Sequence, residues 1–260
     1  MIRSGKFTSS AIHVLTTLGS RDMTPLELAD WKKLNPKSVA KTTKDGFGTA
    51  ALTYIEVKRR EILLQRGMNK ETNTRPTSWG NIVEPRVHQL LGTEYVYHSD
   101  LRVNHSEFPA FWSGAADLTT ETSEGIVADI KCPYSLDVYT EKADIFIAND
   151  VQKLKKLYPE NYWQLVSNSI LFDKKYAELI IYCPYIDELI EIKSMVQDWS
   201  GDANEVAWLN WASDSSLPYL IKGAYYKNLY KLKWEVSAED KEFLTNRVKM
   251  AIDKIKEGCV

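Results

Sequence analysis

Three charged side chains interrupt apolar segments in the middle of the chain, namely Asp117, Asp129 and Lys131. Asp129 and Lys131 are two positions apart, so in a strand both side chains leave the same face. Buried strands seldom carry acids and lysines without a partner or a task. Two carboxylates and an ammonium group at one place suggest a divalent cation, a phosphate group and an activated water molecule. The structural alternative is a buried ion pair between Asp129 and Lys131, with Asp117 as a capping residue.

Hydrophobic periodicity and turn residues predict the elements that would position these side chains. Apolar runs and alternation predict strands at residues 95–103, 111–118, 126–132, 176–183, 188–193 and 229–236. Apolar residues at helical spacing predict helices at residues 7–18, 24–34, 49–66, 78–91, 144–157, 162–172 and 237–258. The strands at 111–118 and 126–132 would form a β-hairpin. This order predicts an α/β fold with a mixed sheet and not a series of βαβ units.

The length and the hydrophobic content are sufficient for one core, or for a core with a small appendage. We expect a single domain over residues 1–260, which begins with a helical region at about residues 7–66. Within that region, residues 35–48 have the composition of a basic loop. Residues 195–228 combine several tryptophans with glycine and proline, and we interpret them as an insertion.

Composition limits the classes of partner and the compartment. The formal net charge is −2, so a nucleic-acid partner would need a local basic surface. The three cysteines include no CxxC pair, which predicts reduced thiols in a cytoplasmic protein and neither a structural zinc site nor an iron–sulfur cluster. The sequence contains no apolar run long enough to cross a bilayer, and its polar N-terminus lacks the apolar core of a signal peptide. We therefore expect no membrane partner.

Several short motifs occur in an order that resembles the PD-(D/E)XK nuclease superfamily. More narrowly, the chain resembles the YqaJ-type viral recombinases, the lambda-exonuclease-like family. The motifs are Trp-Gly-Asn-Ile-Val-Glu at 79–84, Ala-Asp-Leu at 116–118, Asp-Ile-Lys-Cys-Pro at 129–133 and Tyr-Trp-Gln-Leu at 162–165, after an opening Ser-Ala-Ile-His at 10–13. The resemblance covers residues 7–193 and resumes at 229–258. It implies an α/β (α+β) fold with a restriction-endonuclease-like core, in which helices flank a central mixed sheet.

The resemblance also implies a metal site. Asp117 and Asp129 would be the ligands of Mg²⁺, for which Mn²⁺ would substitute. The backbone carbonyl of Ile130 and the carboxylate of Glu84 are further candidate ligands. Asp129 stands where the narrower family has glutamate, so its shorter side chain would shift the geometry around the metal. Ala116 replaces the usual proline before the first aspartate.

The remaining site residues are also assigned by resemblance. The catalytic set consists of Glu84, Asp117, Asp129, Lys131 and Gln164. Lys131 would be the catalytic lysine, and Gln164 would support Lys131 and the scissile phosphate. After Gln164, residues 166–168 replace a glutamine and a tyrosine that the family often has, which predicts a lost or replaced DNA contact. Arg21 would hold the 5′-phosphate of a DNA end. A basic patch could contact phosphates or form a solvated helix face, and it consists of Lys153, Lys155 and Lys156.

The function implied by the resemblance is a Mg²⁺-dependent 5′-to-3′ exonuclease for double-stranded DNA in a phage or prophage recombination system. Its partners would be duplex DNA ends, two further copies in a homotrimeric ring and a single-strand annealing protein. Two alternatives remain open. The same core occurs in endonucleases, and a non-catalytic DNA-binding or assembly protein could retain the fold.

Overall fold

The computed structural model describes residues 4–38, 42–68, 74–98, 101–122 and 124–258. The strands in these ranges are β1 (Phe7–Thr8), β2 (Gly19–Asp22), β3 (Thr42–Asp45), β4 (Val96–Tyr97), β5 (Arg102–Asn104), β6 (Trp112–Ala115), β7 (Leu118–Thr119), β8 (Ile126–Lys131), β9 (Tyr176–Tyr182) and β10 (Leu229–Glu235). The α-helices are α1 (Pro25–Leu34), α2 (Thr49–Leu64), α3 (Arg75–Leu90), α4 (Leu136–Ile147), α5 (Val151–Leu157), α6 (Pro159–Leu171), α7 (Leu189–Ser194), α8 (Ala203–Val206) and α9 (Ala238–Glu257). Short 3₁₀ helices lie at Ser9–Thr16, Ile186–Glu188, Ala207–Asn210 and Asp214–Ser216.

A five-stranded mixed sheet in the order β10-β9-β8-β7-β4 forms the centre of the molecule. β8 and β9 are parallel, and the other neighbouring strands are antiparallel. Because side chains alternate along a strand, Leu179 and Ile181 enter one hydrophobic core while Ile180 and Tyr182 enter a second core on the other face. The predicted α/β class, a central mixed sheet flanked by helices, is therefore confirmed.

The two cores take their helices from different parts of the chain. The first core contains apolar residues of α2, α4, α5, α6, α9 and the 3₁₀ helix Ser9–Thr16. The second core contains those of α3, α7 and α8. In the first core α9 begins as predicted, because Ser237 Oγ accepts a hydrogen bond from the backbone N–H of Asp240 at 3.1 Å.

The N-terminal region at residues 7–66 is helical only in part. Residues 7–8 form β1, which pairs in parallel with β6 in a second sheet, β1-β6-β5. The predicted helix at 7–18 is thus shortened to the 3₁₀ helix Ser9–Thr16. Within the predicted loop at 35–48, residues 42–45 form β3, which pairs with β2. Residues 39–41 of that loop lie outside the described residues.

Two other predicted elements are wrong. Residues 188–193 do not form a strand, because Leu189 and Ile192 lie on the buried side of helix α7 while Ile190 is 79% exposed. Buried residues three positions apart are typical of a helix. The same short segment also shows the alternation of apolar residues that is typical of a strand, which led to the wrong prediction. The predicted helix at 144–157 begins earlier, as α4, and is interrupted before α5 at Asn149, whose φ is 51°.

The segment at residues 195–228 packs against the second core. Val206, Leu209 and Leu217 are buried there. The indole Nε1 of Trp208 donates a hydrogen bond to Ser78 Oγ on α3 at 3.1 Å. This segment therefore supports the start of the helix that carries Glu84. Across the described ranges, no helix has the length and apolar character needed to span a membrane.

Candidate active site

Strand β8 places Asp129 and Lys131 on one face, as the sequence predicts. The carboxylate of Asp129 is 1% exposed, and its Oδ2 forms an ion pair with Lys131 Nζ. Lys131 is half-buried at the end of the strand. The structural alternative and the functional prediction thus share one feature, a buried ion pair, and the surrounding residues must distinguish them.

Asp117 lies in the short link between β6 and β7. The predicted hairpin arm is broken at this link, because β6 pairs with β5 while β7 pairs with β8. Asp117 Oδ2 accepts a hydrogen bond from the backbone N–H of Ile130 at 2.7 Å. That bond fixes the Asp117 side chain beside β8, one residue from both Asp129 and Lys131. Asp117 therefore serves as more than a cap of its own segment.

Gln164 reaches the same place from helix α6. Its side-chain Nε2 donates a hydrogen bond to Asp129 Oδ1 at 2.6 Å. The two oxygens of Asp129 are consequently oriented by different partners, Oδ1 by Gln164 and Oδ2 by Lys131. The resemblance implied a glutamine that supports the lysine, and in this structure its hydrogen bond goes to the aspartate.

Glu84 completes the set from helix α3. It is half-buried, and its Oε1 accepts a hydrogen bond from Tyr97 Oη at 3.4 Å. A cleft of about 170 Å³, which we call the carboxylate cleft, is lined by Glu84, Asp117, Asp129, Lys131 and Gln164. The structure thus brings all five residues of the predicted catalytic set to one cleft.

The carboxylate cleft concentrates negative charge. Burial and the charge of Asp129 raise the pKa of Glu84 to about 7. The same two causes raise the pKa of the Asp117 carboxyl well above its ordinary value. Burial opposes the charge of Lys131, but Asp129 and Asp117 outweigh it and raise the pKa of the ammonium group. The cleft contains three carboxyl groups, the ammonium group of Lys131 and the guanidinium group of Arg102, which leaves an excess of one negative charge when all are ionised.

The donor set fits a hard cation better than zinc. Among the described residues, no group of three or more His, Cys, Asp and Glu side chains is arranged to hold a metal ion by itself. Asp129 Oδ2 is buried and, apart from the ion pair with Lys131, has no hydrogen-bond partner in the described part of the chain. Oxygen ligands from few residues are typical of Mg²⁺, which keeps several of its waters.

Buried polar residues of α6 hold the segment that leads to Asp117. Asn168 Nδ2 donates a hydrogen bond to the carbonyl of Ala115 at 2.8 Å. Ser167 Oγ lies 2.8 Å from Ser9 Oγ and accepts a hydrogen bond from the indole of Trp112 at 2.9 Å. Ser167 and Asn168 are therefore internal supports of the site, because neither residue has any exposed surface.

Gly114 lies on β6, at the point where the side chains of Ser9 and Asn168 approach the backbone closely. A Cβ atom at this position would lie 2.1 Å from Ser9 Oγ and 2.6 Å from Asn168 Oδ1. Only glycine leaves room for the contact between β6, the 3₁₀ helix and α6. The sequence analysis did not single out Gly114, although glycine inside a predicted strand is itself a signal of close backbone approach.

Further lining residues of the carboxylate cleft were absent from the predicted set. They include the guanidinium-bearing Arg102 on β5 and the hydroxyl residues Thr8, Ser9 and Ser10. Arg102 adds a positive charge to the lining of the cleft. Arg102 stands between the apolar residues Leu101 and Val103 of a predicted strand, and that position was the available signal.

The predicted DNA-binding residues lie outside the carboxylate cleft. Arg21 lies on β2, and its guanidinium forms a bidentate pair with Glu27 at 2.7 and 3.0 Å. Lys155 pairs with Asp240 at 2.6 Å, so much of its charge is matched within the protein. Lys153 and Lys156 are exposed on α5. A role of these four residues in DNA binding stays a prediction.

Cys132, which follows Lys131, is buried and carries a free thiol. Burial and the charge of Glu84 raise its pKa well above the ordinary value, so the thiol stays protonated. Cys183 is likewise free and buried. Both residues fill the interior.

Comparison with known proteins gives matches at the level of structure alone. No family model matches the sequence, and no curated protein matches it. A phage-related exonuclease from Haemophilus somnus 129PT matches with a TM-score of 0.54 and 13% sequence identity, over 97% of this chain and 94% of the other. LHK-Exo, an alkaline exonuclease from Laribacter hongkongensis also solved in complex with dAMP, matches with a TM-score of 0.55 and 13% identity, over 98% of this chain and 90% of the other.

At this level of identity the matches establish the fold. The chain has the mixed α/β fold of these two exonucleases along almost its whole length. Since they share few residues with it, the activity of this chain must be argued from its own side chains.

Proposed function

We propose that the protein is a metal-dependent deoxyribonuclease that degrades one strand of duplex DNA from a 5′ end. The observation that carries the proposal is the carboxylate cleft, where three acids, a lysine and a glutamine converge from α3, the β6–β7 link, β8 and α6. A buried ion pair alone would explain Asp129 and Lys131. It would not explain why Glu84 and Asp117 add further negative charge at the same place. The fold shared with two exonucleases supports the same reaction class.

The acids of the cleft would hold a divalent cation, Mg²⁺ or Mn²⁺ in its place. Asp117 and Asp129 are the proposed ligands, with the carbonyl of Ile130 and the carboxylate of Glu84 as further candidates. The cation would balance the excess negative charge, polarise the phosphoryl oxygens and activate water. Asp117 and Asp129 are already oriented for this task by the Ile130 amide and by Gln164.

Lys131 would place its ammonium group beside the scissile phosphate. Its raised pKa keeps the side chain charged in the metal-free protein. A charged Lys131 would stabilise negative charge that develops on the phosphate. Arg102, which also lines the cleft, would add a second positive charge for the DNA backbone.

The test is digestion of linear duplex DNA labelled at either the 5′ or the 3′ end, with Mg²⁺ or with EDTA. We expect Mg²⁺ to permit stepwise loss of the 5′ label and EDTA to abolish it. Lys131→Ala should reduce the rate about 100-fold, since it removes the cation beside the phosphate. Lys256→Ala, which removes an exposed lysine of α9, should leave the rate unchanged.

Closed circular DNA separates the proposed activity from its alternatives. An exonuclease leaves it intact, so cleavage of the circle would show an endonuclease with the same core. Binding of duplex DNA without any cleavage would show a non-catalytic DNA-binding protein. A trimeric assembly, the 5′-phosphate role of Arg21 and an annealing partner stay predictions based on family resemblance.

A further inference from the structure

A second cleft adjoins the carboxylate cleft. It has a volume of about 300 Å³ and is lined by the first turns of α3, the end of β8 and helix α4. We call it the lysine cleft, because Lys142 of α4 lines it. The two clefts share Glu84 and Lys131. A strand whose phosphate lies beside Lys131 can therefore extend from one cleft directly into the other.

Lys142 is a buried lysine on the inner side of helix α4. It is 5% exposed and lies on the side of α4 that also carries the core residues Tyr139, Ala143 and Phe146. Its Nζ donates a hydrogen bond to Asn161 Oδ1 at 2.6 Å. Among the described residues, no carboxylate forms an ion pair with it.

The surroundings of Lys142 leave part of its charge unmatched. Nζ lies 4.4 Å from the centre of the Tyr158 ring, which adds a weak cation–π attraction. An ammonium group has three donors, and Asn161 accepts from one of them. Burial and the charge of Lys131 lower the pKa of Lys142 to about 8, against a smaller opposing effect of the carboxylates of Glu160, Asp129 and Glu141. The side chain therefore still carries a proton at neutral pH, together with unused donors.

Packing alone does not account for a lysine here. A buried charge opposes folding unless a partner compensates it, and an apolar side chain of similar length would fill the same space at lower cost. Glu84 is the one carboxylate among the described residues that line the lysine cleft, and it belongs to the acid set of the neighbouring cleft. A negatively charged ligand would supply the missing partner.

We propose that the lysine cleft binds a second phosphate group, adjacent to the one beside Lys131, and that Lys142 is its cationic contact. This phosphate belongs either to the DNA strand next to the scissile bond or to the nucleotide released from it. Asn81 and Thr77 of α3 offer polar groups beside it, and Pro76, Pro133 and Val138 offer apolar surface to the sugar. The proposal rests on the proposed nuclease function.

The test compares wild type with Lys142→Met, which removes the charge and keeps the length of the side chain. The substrates are linear duplexes with one neutral methylphosphonate linkage on either side of the scissile phosphate, or far from it. In wild type, a neutral linkage at the contacted phosphate should lower kcat/KM about tenfold, as expected for the loss of a charged hydrogen bond. In Lys142→Met the all-phosphate substrate should already be about tenfold slower, and the same neutral linkage should cost nothing more.

A second arm distinguishes the source of the phosphate. If Lys142→Met instead weakens inhibition by a free deoxynucleoside monophosphate about tenfold, without coupling to any linkage, the cleft binds the released nucleotide. Lys256→Met is the matched control on an exposed surface and should change neither measurement. Lys142→Gln provides a second neutral variant if the methionine variant does not fold, as judged by its melting curve.

Two results would overturn the proposal. If Lys142→Met lowers kcat/KM by the same factor on every substrate and leaves nucleotide inhibition unchanged, Lys142 acts only through the structure. If wild-type protein degrades no DNA at all, the proposed function fails first and the second phosphate site fails with it. The two failures are distinguished by the wild-type reaction.

Discussion

Asp129 has a defined partner at each carboxylate oxygen. Gln164 donates to one oxygen at 2.6 Å, and Lys131 forms an ion pair with the other. Asp117 is fixed by a backbone amide of the neighbouring strand in a similar way. Side chains held by their own neighbours do not need to reorganise when a ligand arrives, which is the general requirement for precise metal and phosphate sites.

Gln164→Leu is expected to weaken the site without unfolding the protein. The substitution keeps most of the volume on α6 and removes the hydrogen bond that orients Asp129. Loss of such an orienting contact commonly costs about 10- to 100-fold in metal affinity or activity. We expect a rate reduction in that range, measured by digestion of linear duplex DNA over a series of Mg²⁺ concentrations.

Gln152→Leu is the matched control, since Gln152 is exposed on α5. It should not change the rate or its dependence on Mg²⁺. A Gln164→Leu protein with wild-type activity at every Mg²⁺ concentration would show that Asp129 needs no orientation by α6. Equal melting temperatures for the two variants would confirm that the change is local.

At the scale of the elements, β8 was the most predictable part of the site. Side chains two positions apart in a strand share a face, so the sequence alone predicts that Asp129 and Lys131 lie on the same face of β8. The positions of Asp117 and Gln164 beside β8 could not be predicted in this way, because Asp117 lies in the link between β6 and β7 and Gln164 lies on α6. Only the order of motifs, which resembles that of a nuclease family, predicted that these four residues belong to one site.

Other features of the elements were not predicted from the sequence and became evident only in the structure. The alternation of apolar residues at 188–193 predicts a strand. In the structure, Leu189 and Ile192 pack in the core as part of the helix α7. Lys142 was overlooked because the predicted helix at 144–157 began after it. Tyr139, Ala143 and Phe146 have helical spacing on the buried side of α4. A lysine among such apolar positions was the signal that periodicity could have supplied.

Arg247 is expected to be essential for docking helix α9 against the N-terminal segment. Its guanidinium donates to the carbonyl oxygens of Leu15 at 2.7 Å, Gly46 at 2.5 Å and Thr17 at 3.0 Å, and it lies 3.9 Å from the centre of the Phe47 ring. Arg247→Met removes all three donors, although the carbonyl of Thr17 keeps a hydrogen bond from the backbone N–H of Gly48. We expect the free energy of unfolding to fall by about 3 kcal/mol, measured by urea denaturation.

Arg247→Lys tests whether charge or geometry is responsible. Lysine keeps the charge but presents its donors from one point, so it cannot reproduce the planar fork of arginine. It should recover only part of the lost stability. A methionine variant as stable as wild type would show that α9 is held by apolar packing alone.

The carboxylate cleft depends on the whole molecule, because its side chains come from helices of both cores. Glu84 is carried by α3, which packs in the second core, whereas Gln164 is carried by α6, which packs in the first. The sheet between the cores supplies Asp129 and Lys131. Folding therefore brings together groups that repel one another, and the free energy of unfolding must include that cost.

The stability of the metal-free protein should consequently depend on pH. The pKa of Glu84 is about 7 in the folded protein, against 4.5 for the ordinary group. Between these values the folded protein retains a proton that the unfolded chain has lost. Glu84 thus lowers the free energy of unfolding as the pH rises through this window, and the full cost remains above about pH 7. The raised pKa of Asp117 acts in the same direction.

Mg²⁺ is expected to offset this cost most strongly where the acids are ionised. At about pH 8 saturating Mg²⁺ should raise the melting temperature by about 5 °C or more relative to EDTA. At about pH 5 the effect should be much smaller, because the ion must then displace protons. Asp129→Asn should abolish the increase, whereas Asp253→Asn on the exposed side of α9 should retain it. An equal increase in both variants would place the ion elsewhere and remove the charge argument for a metal at this cleft.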